Sequence, residues 1–418
     1  MAQKKIRILA TGDWCDTGFG TVMRNVFGRL ARTGLFDVHL VGWHYRGQMD
    51  LVREAIESGI TLYPTLPPEA GQVYIRDFTG AVTCKSLVKE LQPDVFFALG
   101  DPWQLVPFVQ DEFVAVPKVF YVPVDTDILS VPDVKTITKA DVLVLYSKFG
   151  QRVVKTQAPF TQTEMIYHGV DLEVFKPLSE AVRAEVRAMQ DFKVEGEPWV
   201  VLVVGQNQPR KGHPRAVTAF KAATCAAFND PAAEVDVDDG KGGKVTMKPA
   251  SSWCESVQKM RCEKCPLYKP DPKTAGWVLH FHCPERGAEG WDLPEVVYRH
   301  SLEGRVRSTQ GLESVKGIPK RSLARLMASC DVHFLMTHRE GFGLPILETM
   351  ACGVPNIVTD YSSCSELIEQ GGGHPVAVKD FNTNTYHQGV DAMPDIADAA
   401  RALRRAFEDK EWYAEQRR

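Results

Sequence analysis

The sequence predicts an α/β protein of two doubly wound parallel sheets, and three observations carry that expectation. Short β-branched runs recur along most of the chain with helical stretches between them, the alternation of a parallel sheet covered on both faces. The series breaks once, around Phe175-Lys176-Pro177-Leu178. The chain's 418 residues are enough for two or three domains that each bury their own core.

The runs of the first half are Ile6–Ala10, Val38–Val41, Val95–Leu99, Val119–Val122 and Val142–Tyr146. Between the first two, Val22, Met23, Val26, Phe27, Leu30 and Ala31 repeat at three and four residues and Gly34 supplies a stop, which reads as a crossover helix. After the break, a charged helical stretch from Glu180 to Met189 leads to a strand at Trp199. The runs Val200–Val204, Val278–His282, Val332–Met336 and Asn356–Thr359 then resume the pattern. These observations place a first domain at 1–180, a second at 181–385 and a helical segment at 386–418. Residues 228–276 read as an insertion, since the strand at Trp277–His282 continues the alternation without them.

Composition excludes several classes. Lys and Arg number 49 against 53 Asp and Glu, a net charge of −4, so no global basic field points to nucleic acid and any polyanion site must be local. The basic start is followed by an apolar stretch that Arg7 interrupts and Gly12-Asp13 ends, which is not a secretion signal. The longest apolar runs are strand-sized, whereas a membrane-spanning helix needs ~20 apolar residues. Cys15, Cys84, Cys225, Cys330, Cys352 and Cys364 are scattered singly, which suits reduced thiols and a cytoplasmic location.

The most specific motif is His338-Arg339-Glu340-Gly341-Phe342-Gly343-Leu344-Pro345-Ile346-Leu347-Glu348. A strand ends just before it, a glycine turn follows, and Pro345 suits the first position of a new helix. The backbone N–H groups of Gly341 to Leu344 would then point from a helix N-terminus that favours an anion. Glu340 and Glu348 would line one crevice at the carboxyl edge of the sheet and accept hydrogen bonds from sugar or ribose hydroxyls. A solvated carboxylate is the usual fate of a single Glu, but two acids framing Gly-Phe-Gly-Leu-Pro are harder to dismiss. The second motif, Gly205-Gln206-Asn207-Gln208-Pro209-Arg210-Lys211-Gly212, follows a strand directly, and its two cations could hold a diphosphate without a metal. The third, Thr17-Gly18-Phe19-Gly20, lacks the third glycine of a dinucleotide fingerprint. It reads as a flexible loop whose backbone approaches a phosphate or sugar, or as a plain turn leading into a helix.

Together these motifs resemble the retaining GT-B glycosyltransferases, the class that includes glycogen synthase and sucrose synthase relatives. The strongest match is the pair Glu340 and Glu348 with seven residues between them. Arg210-Lys211, the Thr17–Gly20 loop, and Tyr167-His168-Gly169-Val170-Asp171 with Phe175 and Pro177 support it. The resemblance implies two facing Rossmann-like domains, with a nucleoside-diphosphate sugar held mainly by the second and a hexosyl or pentosyl group transferred to a hydroxyl. It implies that Glu348 binds the nucleotide ribose, Glu340 the sugar, and Arg210 and Lys211 the diphosphate, with Gly18 and Gly341, Phe342, Gly343 and Leu344 completing the donor set. Two departures stand out: Gln206 replaces an Arg common in relatives, and Pro123-Val124-Asp125-Thr126-Asp127 stands where many place a His. Asp125 could accept a hydroxyl proton or hydrogen-bond the transferred sugar. The Arg-Lys clamp makes a catalytic divalent ion unnecessary, so Asp125-Thr126-Asp127 is not read as a metal motif. A non-catalytic sugar-nucleotide or nucleic-acid binding module is the competing reading, and the full Glu340, Glu348, Arg210 and Lys211 set speaks against it.

The insertion has chemistry of its own. Cys262 and Cys265, with two residues between them, could chelate Zn²⁺ with Cys254 and Cys283, or with His280 or His282 in place of Cys283. Lys241–Gly276 carries eight Lys or Arg against three acids, with Trp253 and Tyr268 among the cations and Trp277 just after them. That pattern suits a phosphate backbone and a stacked base, and the Thr17–Asn25 opening and the Asn207–Lys211 turn are similar to those of compact bacteriophage-type members of the class, some of which decorate hydroxymethylpyrimidines. A 5-hydroxymethylpyrimidine in DNA is therefore one expected acceptor. Glycan, lipid and protein hydroxyls are the alternatives, and a solvated basic loop is the bland reading of the segment.

Overall fold

The computed structural model describes residues 4–45, 47–65, 77–110, 113, 115–190, 192, 194, 197–229, 235–238, 243–247, 269–287, 290–312, 317–384 and 389–417. They form two compact units. The first runs through His168 and the second begins at Gly169, apart from two short stretches of the later chain that go with the first.

The first unit is built in order from β1 (Ile6–Asp13), α1 (Gly18–Arg32), β2 (Phe36–Trp43), α2 (Met49–Ser58), β3 (Ile60–Pro64), α3 (Ala81–Leu91), β4 (Val95–Leu99), β5 (Lys118–Val122), α4 (Val131–Ile137), β6 (Val142–Leu145), α5 (Lys148–Gln157) and β7 (Thr163–Met165). Its sheet is parallel throughout, in the order β3-β2-β1-β4-β5-β6-β7. Leu9, Phe96, Phe120 and Leu143 are wholly buried in it, as strands covered on both faces require. The edge strands β3 and β7 were not expected. Thr163–Met165 is only three residues long, and an edge strand needs no continuous apolar run.

The second unit holds α6 (Glu180–Met189), β8 (Trp199–Val204), α7 (His213–Ala223), α8 (Ala226–Asn229), β9 (Val235–Asp238), β10 (Lys244–Met247), β11 (Trp277–His282), α9 (Leu293–Arg299), β12 (Val306–Ser308), α10 (Lys320–Ser329), β13 (Val332–Leu335), α11 (Leu344–Ala351), β14 (Asn356–Thr359), α12 (Ser363–Gly371), β15 (His374–Val376), β16 (Val378–Thr383), β17 (Val390–Pro394), α13 (Ile396–Glu408) and α14 (Lys410–Gln416). Its main sheet is parallel in the order β12-β11-β8-β13-β14-β15. Part of the expected insertion, 235–238 and 244–247, forms an antiparallel pair.

Two boundaries differ from the sequence expectation for a packing reason. Phe175 is buried among Val200, Leu202 and Val278, with Val170, Val174 and Leu178 packed beside it, so the chain joins the second unit's core well before residue 180. The 386–418 segment is likewise no separate helical element. Ile396, Ala399, Ala400 and Leu403 of α13 and Trp412 of α14 lie in one core with Trp199, Phe220 and Trp277.

Asp331, just before β13, ties this arrangement together. Its carboxylate accepts from Arg183 Nη2, Arg187 Nη2 and the backbone N–H of Val200, each at 2.6 Å, while its carbonyl accepts from the Tyr413 hydroxyl at 3.0 Å. Only 7% of the residue is exposed. Asp331→Asn should cost about 2 kcal/mol, the scale of one lost hydrogen bond to a charged group, seen as a lower urea midpoint with unchanged slope.

Candidate functional site

Each parallel sheet reverses its strand order once, and the crevice outside the carboxyl ends at such a point is where open α/β sheets bind ligands. In the second unit the reversal falls between β8, which pairs with β11, and β13, which pairs with β14. The turns that leave these two strands carry Arg210-Lys211 and Glu340.

The turn after β8 tightens into one short 3-10 stretch, Pro209–Lys211, closed by Gly212 at φ +63°. A Cβ on Gly212 would stand 1.9 Å from the carbonyl oxygen of Met336. The two turns therefore touch backbone to backbone. His338 N–H donates to the Arg210 carbonyl at 2.7 Å, and the Thr337 hydroxyl donates to the carbonyls of Arg210 and Arg339 at 3.1 and 3.0 Å.

This seam sets the charges. Lys211 Nζ donates to Glu340 Oε1 at 2.5 Å and Arg210 Nη1 approaches Glu340 Oε2 at 3.4 Å. The Lys211 and Glu340 side chains are less than 10% exposed, while Arg210 is 30% exposed. Burial opposes ionisation of Glu340, but Lys211 and Arg210 outweigh it and hold the carboxyl down at about 2. The backbone of Glu340 is held as tightly. Its N–H donates to Ser362 Oγ at 2.9 Å, and the Ser363 hydroxyl donates to the carbonyls of Glu340 and Phe342, both at 2.9 Å. Ser362 itself sits at φ +55°, a strained position for a non-glycine residue of the kind that gathers at functional sites.

The third cation of these turns is already paired. Arg339 donates to Asp391 at 2.8 Å and is 6% exposed. Burial keeps His213, His333 and His338 neutral at pH 7, each pushed down to about 4. Two cations thus share one carboxylate, which leaves the pair of turns with a positive excess suited to a bound diphosphate.

Gly341, Phe342 and Gly343 continue the Glu340 turn into α11, and Leu344 rather than Pro345 is its first residue. Glu348 lies farther along this helix, half-buried. Burial is the main cause that raises its carboxyl to about 7, with Lys320 pulling weakly the other way. Asp125 and Gly18 belong to the first unit. Asp125 is half-buried after β5. Of the two readings of the Thr17–Gly20 motif, the structure has the turn leading into a helix rather than the flexible loop: Gly18 opens α1 and is capped by Thr17, whose hydroxyl accepts from Gly20 N–H at 3.0 Å. A Cβ on Gly20 would lie 2.1 Å from the Cys15 carbonyl oxygen, so that glycine serves close packing of the helix start.

Of the proposed zinc ligands, Cys254, Cys262 and Cys265 lie outside the described residues. Cys283 is 2% exposed within the second unit's apolar core, its thiol pushed up to about 12 by burial and Glu285. His280 Nε2 and His282 Nδ1 both meet the Thr309 hydroxyl at 3.0 Å. Sequence reasoning missed Asn207. Its amide donates to the carbonyls of Pro284, Glu285 and Trp291 and its oxygen accepts from Trp291 N–H, fastening the turn after β8 to the loop after β11.

The two parallel-sheet, Rossmann-like units are consistent with the GT-B fold of the solved structures that the chain resembles. The chain aligns over 99% of its length with Anabaena HepE in complex with UDP-glucose, covering 92% of that chain at TM-score 0.65 and 16% identity. It aligns equally fully with a sucrose-phosphate synthase from Thermosynechococcus elongatus, covering 92% of that chain at TM-score 0.64 and 15% identity. Residues 298–416, which include both glutamates, match the family described as Glycosyl transferases group 1. An O-antigen chain mannosyltransferase B of Escherichia coli is 34% identical over 89 residues, 21% of this chain and 22% of that protein. Such matches span between 19% and 36% of the curated relatives' own lengths. Among the described residues no helix is long and apolar enough to cross a membrane.

Proposed function

We propose that this protein transfers a hexosyl or pentosyl group from a nucleoside-diphosphate sugar to a hydroxyl, with retention of anomeric configuration. The observation that supports it is the Lys211–Glu340–Arg210 cluster, fixed between two touching turns at the switch point of the second sheet. In this reading the diphosphate takes over hydrogen bonds that Lys211 and Arg210 now give to Glu340, and the freed carboxylate accepts from a sugar hydroxyl. The bond from the anomeric carbon to the diphosphate breaks and leaves its electron pair on the phosphate oxygen. The acceptor oxygen bonds the same carbon on the same face, and its proton passes to the departing phosphate. The protein's task is then charge stabilisation and positioning. Gly18 and the Gly341–Leu344 backbone complete the donor set, and Asp125 orients the acceptor hydroxyl. The two cations supply what a divalent ion would, so turnover should persist through brief EDTA treatment.

Glu348 receives the ribose hydroxyls and gives the reading a pH signature. A carboxyl raised to about 7 is mostly protonated in the free protein at mildly acidic pH. Two hydroxyl donors favour its ionised form, so nucleoside-diphosphate affinity should rise with pH through about 7 and then level, with proton release on binding. The sign for folding is opposite. An acid whose folded pKa is raised costs stability as pH climbs from its unfolded value to about 7. Calorimetry between pH 5.5 and 8.5 should show the binding trend in the wild type and a flat profile in Glu348→Gln. A flat wild-type profile removes the ribose role.

For the acceptor, the basic, aromatic-bearing segment Lys241–Gly276 supports a 5-hydroxymethylpyrimidine in DNA over a glycan, lipid or protein hydroxyl, and a zinc held by Cys254, Cys262, Cys265 and Cys283 would brace it. Duplexes with hydroxymethylcytosine, hydroxymethyluracil or neither, incubated with a pool of nucleotide sugars, decide this by nucleoside mass spectrometry. A hexose or pentose mass only on modified duplex, fading with salt, is the expected result. Donor hydrolysis with no modified nucleoside rejects DNA as the acceptor and leaves the transferase reading standing.

A further inference from the structure

A second group of ligating side chains lies in the first unit, outside the donor set. We infer that Asp13, Cys15 and His44 form a mononuclear Zn²⁺ site with one open coordination position. One ligand atom from each, a carboxylate oxygen, the Sγ and an imidazole nitrogen, can be chosen so that all lie within 4.8 Å of one another. Asp13 ends β1, Cys15 follows two residues on, and His44 comes directly after β2, the strand paired with β1.

The chain holds these groups rigidly. Trp14, between the first two, is wholly buried, and its backbone N–H donates to the Trp43 carbonyl at 2.9 Å. Asp13 is 7% and Cys15 1% exposed. His44 sits at φ +58°, its ring stacked on Phe78, with Nδ1 3.0 Å from Asp13 Oδ1. The Thr17 hydroxyl donates to the other Asp13 oxygen at 2.6 Å, the kind of outer contact that orients a metal-binding carboxylate.

Charge supplies an independent reason for a cation. Among the described residues the neighbouring arginine, Arg24, is committed elsewhere, to Asp16 at 3.2 Å and to Glu54 at 3.8 Å. The buried Asp13 carboxylate pairs with no lysine or arginine among the described residues, which set three carboxylates, Asp13, Asp16 and Glu54, against the Arg24 guanidinium. A divalent ion answers that deficit. Thiolate, imidazole and carboxylate together select zinc over magnesium or calcium, and three protein ligands leave a tetrahedral ion one position for water or another ligand. On binding, the thiol gives up its proton and the imidazole carries its own on Nε2. The ion would cross-link the turn between β1 and α1 to the end of β2.

The test uses the full chain freed of metal and titrated with Co²⁺, in wild type, Cys15→Ser, His44→Gln and Cys283→Ser. The wild type should develop a thiolate-to-cobalt charge-transfer band and tetrahedral d–d bands. Cys15→Ser should lose this site's one-thiolate share of the charge-transfer band, His44→Gln should bind at least tenfold more weakly, and Cys283→Ser should keep both signals of this site. Cadmium-113 resonances of the loaded protein separate one-thiolate from many-thiolate environments and so distinguish this site from the insertion's cysteine cluster. Circular dichroism confirms folding of each variant, and Asp13→Asn provides a further ligand change that keeps the shape. No one-thiolate metal signal in the wild type, one that survives in a folded Cys15→Ser protein, or an affinity at this site within twofold of wild type in a folded His44→Gln or Asp13→Asn protein overturns the site.

Discussion

Lys211→Ala is expected to lower turnover by about a hundredfold or more, the usual result of removing one preorganised group from developing charge, ~3 kcal/mol in the barrier. Two features single out Lys211 in the proposed chemistry. It is buried, so its charge acts where water screens little, and it sits 2.5 Å from the carboxylate that the sugar would engage. Arg210, at 3.4 Å and 30% exposed, should matter less, and Arg210→Ala should weaken donor binding more than turnover. Lys211→Ala also leaves Glu340 with the more distant cation alone, so its carboxyl should climb from about 2 toward the ordinary range. A pH–rate profile with a new acidic limb would report that change, since Glu340 would begin to protonate in the accessible range. Turnover within threefold of wild type, with an unaltered profile, would remove Lys211 from the chemistry.

The separation between what the sequence disclosed and what it hid follows from how far each signal travels along the chain. Central strands β8, β11 and β13 are covered on both faces, so they read as continuous apolar runs, and Glu340 and Arg210-Lys211 directly follow such runs. Edge strands gave no comparable signal. Val306–Ser308 and His374–Val376 are three residues each, and their place in the sheet is fixed by partners distant in sequence. The same holds for the supports of the site. Ser362 and Ser363 clamp the Glu340 turn across more than twenty residues, and Asn207 bridges to Trp291 across 84. An isolated Asn or Ser carries no periodicity to betray it. The early entry of residues 169–178 into the second core was hidden too, because Phe175 beside Pro177 reads equally well as a linker. For Gly18 and Gly20 the sequence left a flexible loop and a turn leading into a helix side by side, since a glycine-rich loop and a glycine-rich first helical turn share one composition.

Gly212→Ala should match or exceed the effect of Lys211→Ala on turnover while leaving every charged group in place. At φ +63° an alanine pays the left-handed penalty of roughly 1–2 kcal/mol. The steric demand is larger, because its Cβ would lie 1.9 Å from the Met336 carbonyl oxygen and no side chain can rotate away to relieve a backbone contact. The turn after β8 and the turn after β13 must therefore move apart. That motion strains the bond from His338 N–H to the Arg210 carbonyl at 2.7 Å and the Thr337 contact beside it, the seam that sets Lys211 against Glu340. A shift of about 1 Å in groups that position a reacting centre can cost a hundredfold in rate. The expected outcome is a folded protein with both parallel sheets intact, a melting temperature lowered by several degrees, and turnover down about a hundredfold or more. Far-ultraviolet circular dichroism and a donor-hydrolysis assay on the same preparation separate this from unfolding. Gly34→Ala is the control, since that glycine has a comparable φ of +74° with nothing within 4 Å of its Cβ position. It should lose stability without losing rate. Equal rates for Gly212→Ala and Gly34→Ala would show that the backbone seam does not position the cations.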